Sequence, residues 1–106
     1  MNLLKYFTLM ILEIAILNVK AGQQKNFENN FRLAQSLIAS ISGYINHELQ
    51  CCLENPNRYV LLVNWEKLED HTIGFRQSPQ YQEWKALLHH FYDPFPVVEH
   101  YQKLDI

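Results

Sequence analysis

The sequence predicts a single α+β domain in which the elements follow in the order β-α-β-β-α-β. Two patterns carry this prediction: short apolar runs that are typical of strands, and apolar residues at helical spacing that are typical of amphipathic helices. A chain of 106 residues has room for one hydrophobic core and not for two. Hydrophobic residues make up 48% of it and charged residues 19%, so we expect a globular fold.

The first part of the domain is predicted to contain one strand and one helix. Residues 11–19 form an Ile-, Leu- and Val-rich run, typical of a strand buried on both faces, with Glu13 as its one acidic residue. Residues 24–42 carry apolar side chains at helical spacing, which predicts an amphipathic helix of about five turns. Gly43 is expected to end this helix in a left-handed conformation.

The middle of the chain is predicted to form a β-hairpin. Residues 44–53 and 58–66 are extended runs joined by four turn-forming residues. If the residue after the turn faces Leu53, one face of the hairpin carries His47 and the other carries Trp65.

The last part is predicted to contain a second helix and an edge strand. Residues 68–76 fit a short helix or turn, after which Ser78 supplies an N-cap hydroxyl and Pro79 the first helical position. The apolar stripe of this helix begins at Tyr81, and two later prolines must end it. Residues 97–101 then indicate a strand, at the sheet edge or exchanged, because prolines precede it.

Elements in this order fold as one antiparallel sheet with both helices on one side, the ferredoxin-like arrangement. The other face of the sheet is then bare. We expect that face to carry Leu61, Val63 and Trp65, an apolar patch larger than a monomer usually exposes. A second copy of the chain is the simplest cover, so we expect a homodimer.

Residues 1–9 are expected to be a leader or frayed terminus before the domain at residues 10–106. The first nineteen residues superficially resemble a signal peptide, but Lys5 is their one basic residue, Glu13 interrupts the apolar run, and no small-residue cleavage site follows. The apolar run is also too short for a transmembrane helix. We therefore expect a cytoplasmic protein without a membrane partner, with its two adjacent cysteines reduced.

Composition argues against several classes of function. The net charge is −2 and no large block of one sign occurs, so a nucleic-acid partner is not expected. Only three glycines are present, and they form no phosphate-binding loop for a nucleotide cofactor. The five histidines include no pair at helical i, i+4 spacing with a carboxylate base, so no metal site is predicted.

Four segments follow one another in a family-specific order: the strand ILEIAILNVKAGQ before a helix, GYINHELQ, the turn and strand ENPNRYVLLVNWE, and LEDHTIGFRQSPQYQEW. Over residues 11–101 the chain thereby resembles the antibiotic biosynthesis monooxygenase family of dimeric α+β barrels. The resemblance implies a homodimer with a ligand pocket between sheet and helices. It also implies oxidation of a small electron-rich aromatic or quinol-like compound by dioxygen, without flavin, haem or metal, so no cofactor is expected.

The chain departs from the family's pattern at two places. Members often have a histidine directly after the Ser-Pro that opens the second helix, where this chain has Gln80. The haem-degrading branch resembles the chain at Trp65 but has a Trp and a His at later positions where Gly74 and Trp84 stand here. Haem degradation is therefore disfavoured.

Oxygenation without a cofactor needs a base and a dry apolar pocket, and the candidate bases are His47 and His71. We expect His47 to lie near Asn64 and Glu66, and His71 to lie at the mouth of the pocket. Each of these histidines could instead be structural, His47 as a satisfied core residue and His71 as a solvated residue at a helix start.

Substrate contacts are expected from five residues: Asn64, Trp65, Phe75, Tyr81 and Trp84. The four aromatic rings could stack on a planar ligand, although such rings are more often plain core. Arg76 could meet an anionic group of the ligand. Two other functions stay open: a dimeric module that binds a small hydrophobic ligand without turnover, and an isomerase that needs the base but no dioxygen.

Overall fold

A computed structural model describes residues 10–106, and the leader predicted at residues 1–9 lies outside them. The strands are β1 (Ile11–Asn18), β2 (Tyr44–Cys51), β3 (Arg58–Trp65) and β4 (Val98–Gln102), and the helices are α1 (Gln24–Ala39) and α2 (Pro79–Leu88). A π-helical turn (Asp70–Phe75) precedes α2, and a 3-10 turn (His89–Phe91) follows it. The predicted α+β class and the order β-α-β-β-α-β are confirmed.

The four strands form one antiparallel sheet in the order β2-β3-β1-β4. The first strand of the chain is central, since β1 pairs with β3 on one side and with β4 on the other. Both helices pack on one face of this sheet, and the core lies between the two layers. As a result, side chains of β1 stand at the middle of the covered face.

The prediction that β1 is buried on both faces is wrong. Leu17 on the covered face is 2% exposed, whereas its neighbour Ile16 on the other face is 43% exposed. Because only one face of the sheet carries helices, alternate residues of β1 point away from the core.

The hairpin register predicted above is wrong by one residue. Cys51 pairs with Tyr59, and the Cys52 N–H donates to the Arg58 carbonyl at 2.8 Å. A one-residue slip exchanges the two faces of a strand. The side chains of Leu61, Val63 and Trp65 therefore lie in the core and not on the bare face. Six apolar residues occupy the bare face instead: Leu12, Ile14, Ile16, Val60, Leu62 and Tyr101.

The helices begin where the sequence predicts, but α1 ends earlier. The N-cap hydroxyl of Ser78 accepts a hydrogen bond from the Tyr81 N–H at 3.1 Å, with Pro79 at the first position of α2. At the end of α1, Ala39 is the last helical residue. Gly43 has the expected positive φ of 89°, yet it serves the entry into β2 rather than the helix end.

No helix within residues 10–106 is long and apolar enough to cross a membrane.

Candidate functional site

A cavity of about 230 Å³ lies between the covered face of the sheet and α2. Its floor is apolar, because Ala15 and Leu17 of β1 and Leu61 of β3 reach it. Five aromatic residues line it: Phe75, Tyr81, Trp84, Tyr92 and Phe95. The rings of Tyr81 and Trp84 are nearly perpendicular to that of Phe75, at 79° and 81°. The resulting space fits a small, flat, largely apolar ligand.

One end of the cavity is polar, and Glu13 is its central residue. The side chain lies on the covered face of β1 and is 4% exposed. The Trp65 indole Nε1–H donates to its Oε1 at 2.9 Å, and His71 Nε2 lies 3.4 Å from the same oxygen. Burial raises the pKa of Glu13 to about 7, although the Trp65 hydrogen bond and the Arg76 charge act in the opposite direction.

His71 comes from the π-helical turn, a geometry often found at functional sites. Its ring stacks on that of Trp65, with centroids 5.4 Å apart and planes 17° from parallel. On the other side, Nδ1 of His71 lies 2.7 Å from Nε2 of His100 on β4. Burial, with the charges of Arg76 and His100, lowers the pKa of His71 to about 3, so this imidazole is neutral at physiological pH.

Arg76 supplies a positive charge at the mouth of the cavity. It lines the cavity directly after the π-helical turn. The Arg76 guanidinium forms no ion pair or side-chain hydrogen bond with any residue in 10–106. As far as residues 10–106 are concerned, its donors are available to an anionic group of a ligand.

Four of the predicted site residues line this cavity together: His71, Phe75, Tyr81 and Trp84. Trp65 is fully buried behind the cavity wall, where it contacts Glu13 and His71. Asn64 lies on the bare face and donates to Asn46 Oδ1 at 2.7 Å. The alternative that His71 is a solvated residue at a helix start is wrong, because His71 is 3% exposed.

His47 lies outside the cavity. It sits on the covered face of β2 opposite Val63, and its Nε2 is 2.9 Å from Oε1 of Gln35 on α1. Its Nδ1 makes a hydrogen bond with the hydroxyl of Tyr44. The prediction that His47 lies near Asn64 and Glu66 is wrong. In the observed hairpin register, which differs by one residue from the predicted one, the His47 side chain points toward α1.

Two residues of the polar cluster were not among the predicted site residues. Glu13 had a signal, since one carboxyl in an otherwise apolar strand must either be exposed or find partners. His100 had no such signal, because its contact with His71 depends on β4 pairing beside β1. No three or more His, Cys, Asp or Glu side chains converge as a metal site within the described residues.

Comparisons with known proteins agree with this architecture. The sequence model for "Antibiotic biosynthesis monooxygenase" matches residues 10–87. An uncharacterized Bacillus subtilis (strain 168) protein, YczJ, is 56% identical over 93 residues, which cover 88% of this chain and 98% of YczJ.

Solved structures share the fold. A Bordetella bronchiseptica protein assigned to the antibiotic biosynthesis monooxygenases is 37% identical with a TM-score of 0.86, over 90% of this chain and 97% of that one. SnoaB, a cofactor-independent oxygenase from Streptomyces nogalater, is 18% identical with a TM-score of 0.70, over 92% and 93% of the two chains, a likeness of fold alone. By the extent of the sequence match and these relatives, the chain belongs to the antibiotic biosynthesis monooxygenase family.

Proposed function

We propose that the protein is a cofactor-independent monooxygenase that oxidises a small electron-rich aromatic or quinol-like compound with dioxygen. The observation that carries the proposal is the cavity, in which aromatic walls and an apolar floor meet one buried carboxyl–imidazole pair. Of the two histidines predicted as bases, His71 reaches the cavity and acts there with Glu13. SnoaB supports the reaction class, since that protein of the same fold is a cofactor-independent oxygenase.

The reaction needs no group beyond the substrate, dioxygen and a base. Removal of a hydroxyl proton gives an aromatic anion, which passes one electron to dioxygen; the substrate radical and superoxide then combine at a ring carbon. The peroxide takes back the proton and loses water as the ring C–H proton leaves, so one oxygen atom becomes a carbonyl and the other becomes water. Dry surroundings favour electron transfer from the anion, and the apolar floor supplies them.

Oxygen uptake by the metal-stripped protein tests the proposal, with a panel of quinols and polycyclic phenols as substrates. We expect uptake above background for at least one compound, and one labelled atom in the product from ¹⁸O₂. Val98→Phe fills the cavity from β4 and should lower kcat/KM at least about tenfold, which equals about 1.4 kcal/mol of transition-state binding. Val97→Phe is the matched control, since Val97 is 77% exposed.

Two outcomes would replace the proposal. Absence of oxygen uptake across the whole panel, with binding of one or more of its compounds, would indicate the binding module. A compound converted to an isomer in the absence of dioxygen would indicate the isomerase.

The proposal includes a homodimer that is formed through the bare face of the sheet. Six side chains there are apolar, among them those of Ile16 and Tyr101, which are 43% and 49% exposed in the single chain. It also includes a cytoplasmic location, which the free thiols of Cys51 and Cys52 support.

A further inference from the structure

The two oxygens of the Glu13 carboxyl have different surroundings. Oε1 accepts the Trp65 hydrogen bond at 2.9 Å and lies 3.4 Å from His71 Nε2. Oε2 accepts no hydrogen bond from residues 10–106. Within that range every fully buried side-chain oxygen or nitrogen has a hydrogen-bond partner, so Oε2 is not fully buried. Because Glu13 lines the cavity, Oε2 is the atom left open to a ligand.

His71 and His100 form a chain that ends on Oε1. A neutral imidazole has one donor nitrogen and one acceptor nitrogen. If His100 Nε2–H donates across the 2.7 Å contact to Nδ1 of His71, the proton of His71 must lie on Nε2, facing Glu13. The 3.4 Å separation is long for a hydrogen bond, as catalytic contacts often are before substrate binds.

We propose that Glu13 is the catalytic base, that its Oε2 takes the hydroxyl proton of the substrate and returns it to the peroxide, and that His71 and His100 are positioning residues. This inference rests on the proposed function and names the acid–base group within it. His100 acts by fixing the tautomer of His71, which then holds Oε1 and keeps Oε2 toward the ligand.

Burial favours the uncharged form of each group, so it favours a proton on the Glu13 carboxyl and disfavours a second proton on the His71 imidazole. His71 and Arg76 face Glu13 from the π-helical turn and its end, His100 from β4 and Tyr81 from α2. With the pKa of Glu13 raised to about 7 and that of His71 lowered to about 3, Glu13 is the stronger base. A base that titrates near working pH can both take and return a proton.

The first test is Glu13→Gln, which keeps the shape of the side chain but cannot accept the proton. We expect kcat for oxygen uptake to fall at least about 100-fold, while the exposed control Glu83→Gln on α2 changes little. Glu13→Asp, which retracts the carboxyl by one methylene group, should retain partial activity with a displaced pH midpoint. Infrared difference spectra between acidic and alkaline pH should show a protonated-carboxyl band that titrates near neutrality and is absent from Glu13→Gln.

These measurements separate the two proposals. Oxygen uptake that persists in Glu13→Gln would overturn this inference and leave the oxygenase standing. Absence of uptake from the whole panel, with the infrared band titrating and lost in Glu13→Gln, would overturn the oxygenase and support Glu13 as a proton acceptor. A wild-type spectrum without that band would overturn the assignment of Glu13.

The second test concerns His100. His100→Phe removes the donor to Nδ1 of His71, so the ionised carboxyl loses support and the pH midpoint of kcat should rise. The control is His90→Phe, because His90 is exposed and does not line the cavity. A purely structural role of His100 would lower the rate with the midpoint unmoved, and that result would overturn the positioning role.

Discussion

Glu13 shows how a single residue can be unfavourable for folding and useful for chemistry. An ionised carboxyl that is 4% exposed has lost most of its hydration, and one indole hydrogen bond restores only part of it. The folded protein therefore favours the protonated form. We therefore expect the titration of Glu13 to change the free energy of unfolding with pH.

We expect the stability difference between Glu13→Gln and wild type to depend on pH. The pKa of Glu13 is raised from 4.5 to about 7 in the folded state, so its contribution is present below 4.5 and is lost as pH rises through 7. That gap corresponds to about 3 kcal/mol, which is an upper limit. The side chain of the variant stays neutral at every pH. Between pH 4.5 and 7 the free energy of unfolding of the variant should therefore increase, relative to that of wild type, by up to that amount.

His71 acts in the opposite direction over an overlapping range. Its pKa is lowered from 6.5 to about 3, so its contribution is present above 6.5 and is lost as pH falls toward 3. The effect occurs in both proteins and largely cancels in their difference, which is why urea titrations of the pair should be compared. A difference that is flat with pH would mean that Glu13 titrates normally.

Sequence reasoning identified aromatic residues around the cavity, together with His71 and Arg76, but it did not identify Glu13 or His100. Apolar spacing identified Tyr81 and Trp84, because helix geometry decides which way neighbouring residues point. The partnership of Glu13 with Trp65 spans 52 positions in the chain. Such a contact depends on strand register, and residue spacing within one segment does not determine strand register.

The link from α1 to β2 is constrained at Gly43. Gly43 has φ of 89°, and a Cβ there would collide with the Asp70 carboxylate. That carboxylate accepts the Lys67 N–H at 3.0 Å, so it is not free to move aside at no cost. The Gly43 carbonyl also accepts the Glu66 N–H at 2.8 Å.

Gly43→Ala should therefore destabilise the protein by about 2 kcal/mol or more, from backbone strain and the collision together. Gly22→Ala is the matched control, because Gly22 has φ of 81° but a Cβ added there would meet no atom within 4 Å, and it should cost about 1 kcal/mol. Chemical denaturation of both variants measures the difference. Equal losses would mean that Asp70 yields freely.

Element types and order could be predicted because each rests on local signals, such as the Ser78 cap and the stripe at Phe27, Phe31, Ala34 and Ile38. The pairing of β2 with β3 could not. Leu53 and Cys52 are both plausible last residues before the turn, and the choice depends on which faces the helices cover. In the observed pairing, the side chain of His47, which the sequence suggested as a base, contacts Gln35.

The whole molecule should assemble through its bare face, and Leu62→Asp tests this. Leu62 lies opposite Ile14 at the middle of that face, so a carboxylate there should prevent apolar burial between copies. We expect light scattering to give twice the 12.6 kDa of one chain for wild type and the single value for the variant. Leu33→Asp, at a position 67% exposed on α1, should stay dimeric.

Circular dichroism of Leu62→Asp separates dissociation from unfolding, since a dissociated but folded chain keeps its spectrum. A wild-type mass equal to one chain would contradict the homodimer.

The central position of β1 has a consequence for the order of events during synthesis. This strand leaves the ribosome early, but its partners are β3 and β4. The contacts of Glu13 with Trp65 and His71 can therefore form only after those residues are synthesised, and the contact of His71 with His100 forms later still. Before β3 and β4 have emerged from the ribosome, β1 is an apolar strand with no partner on either edge, and such a strand can pair incorrectly. The site is complete only after nearly the whole domain has emerged.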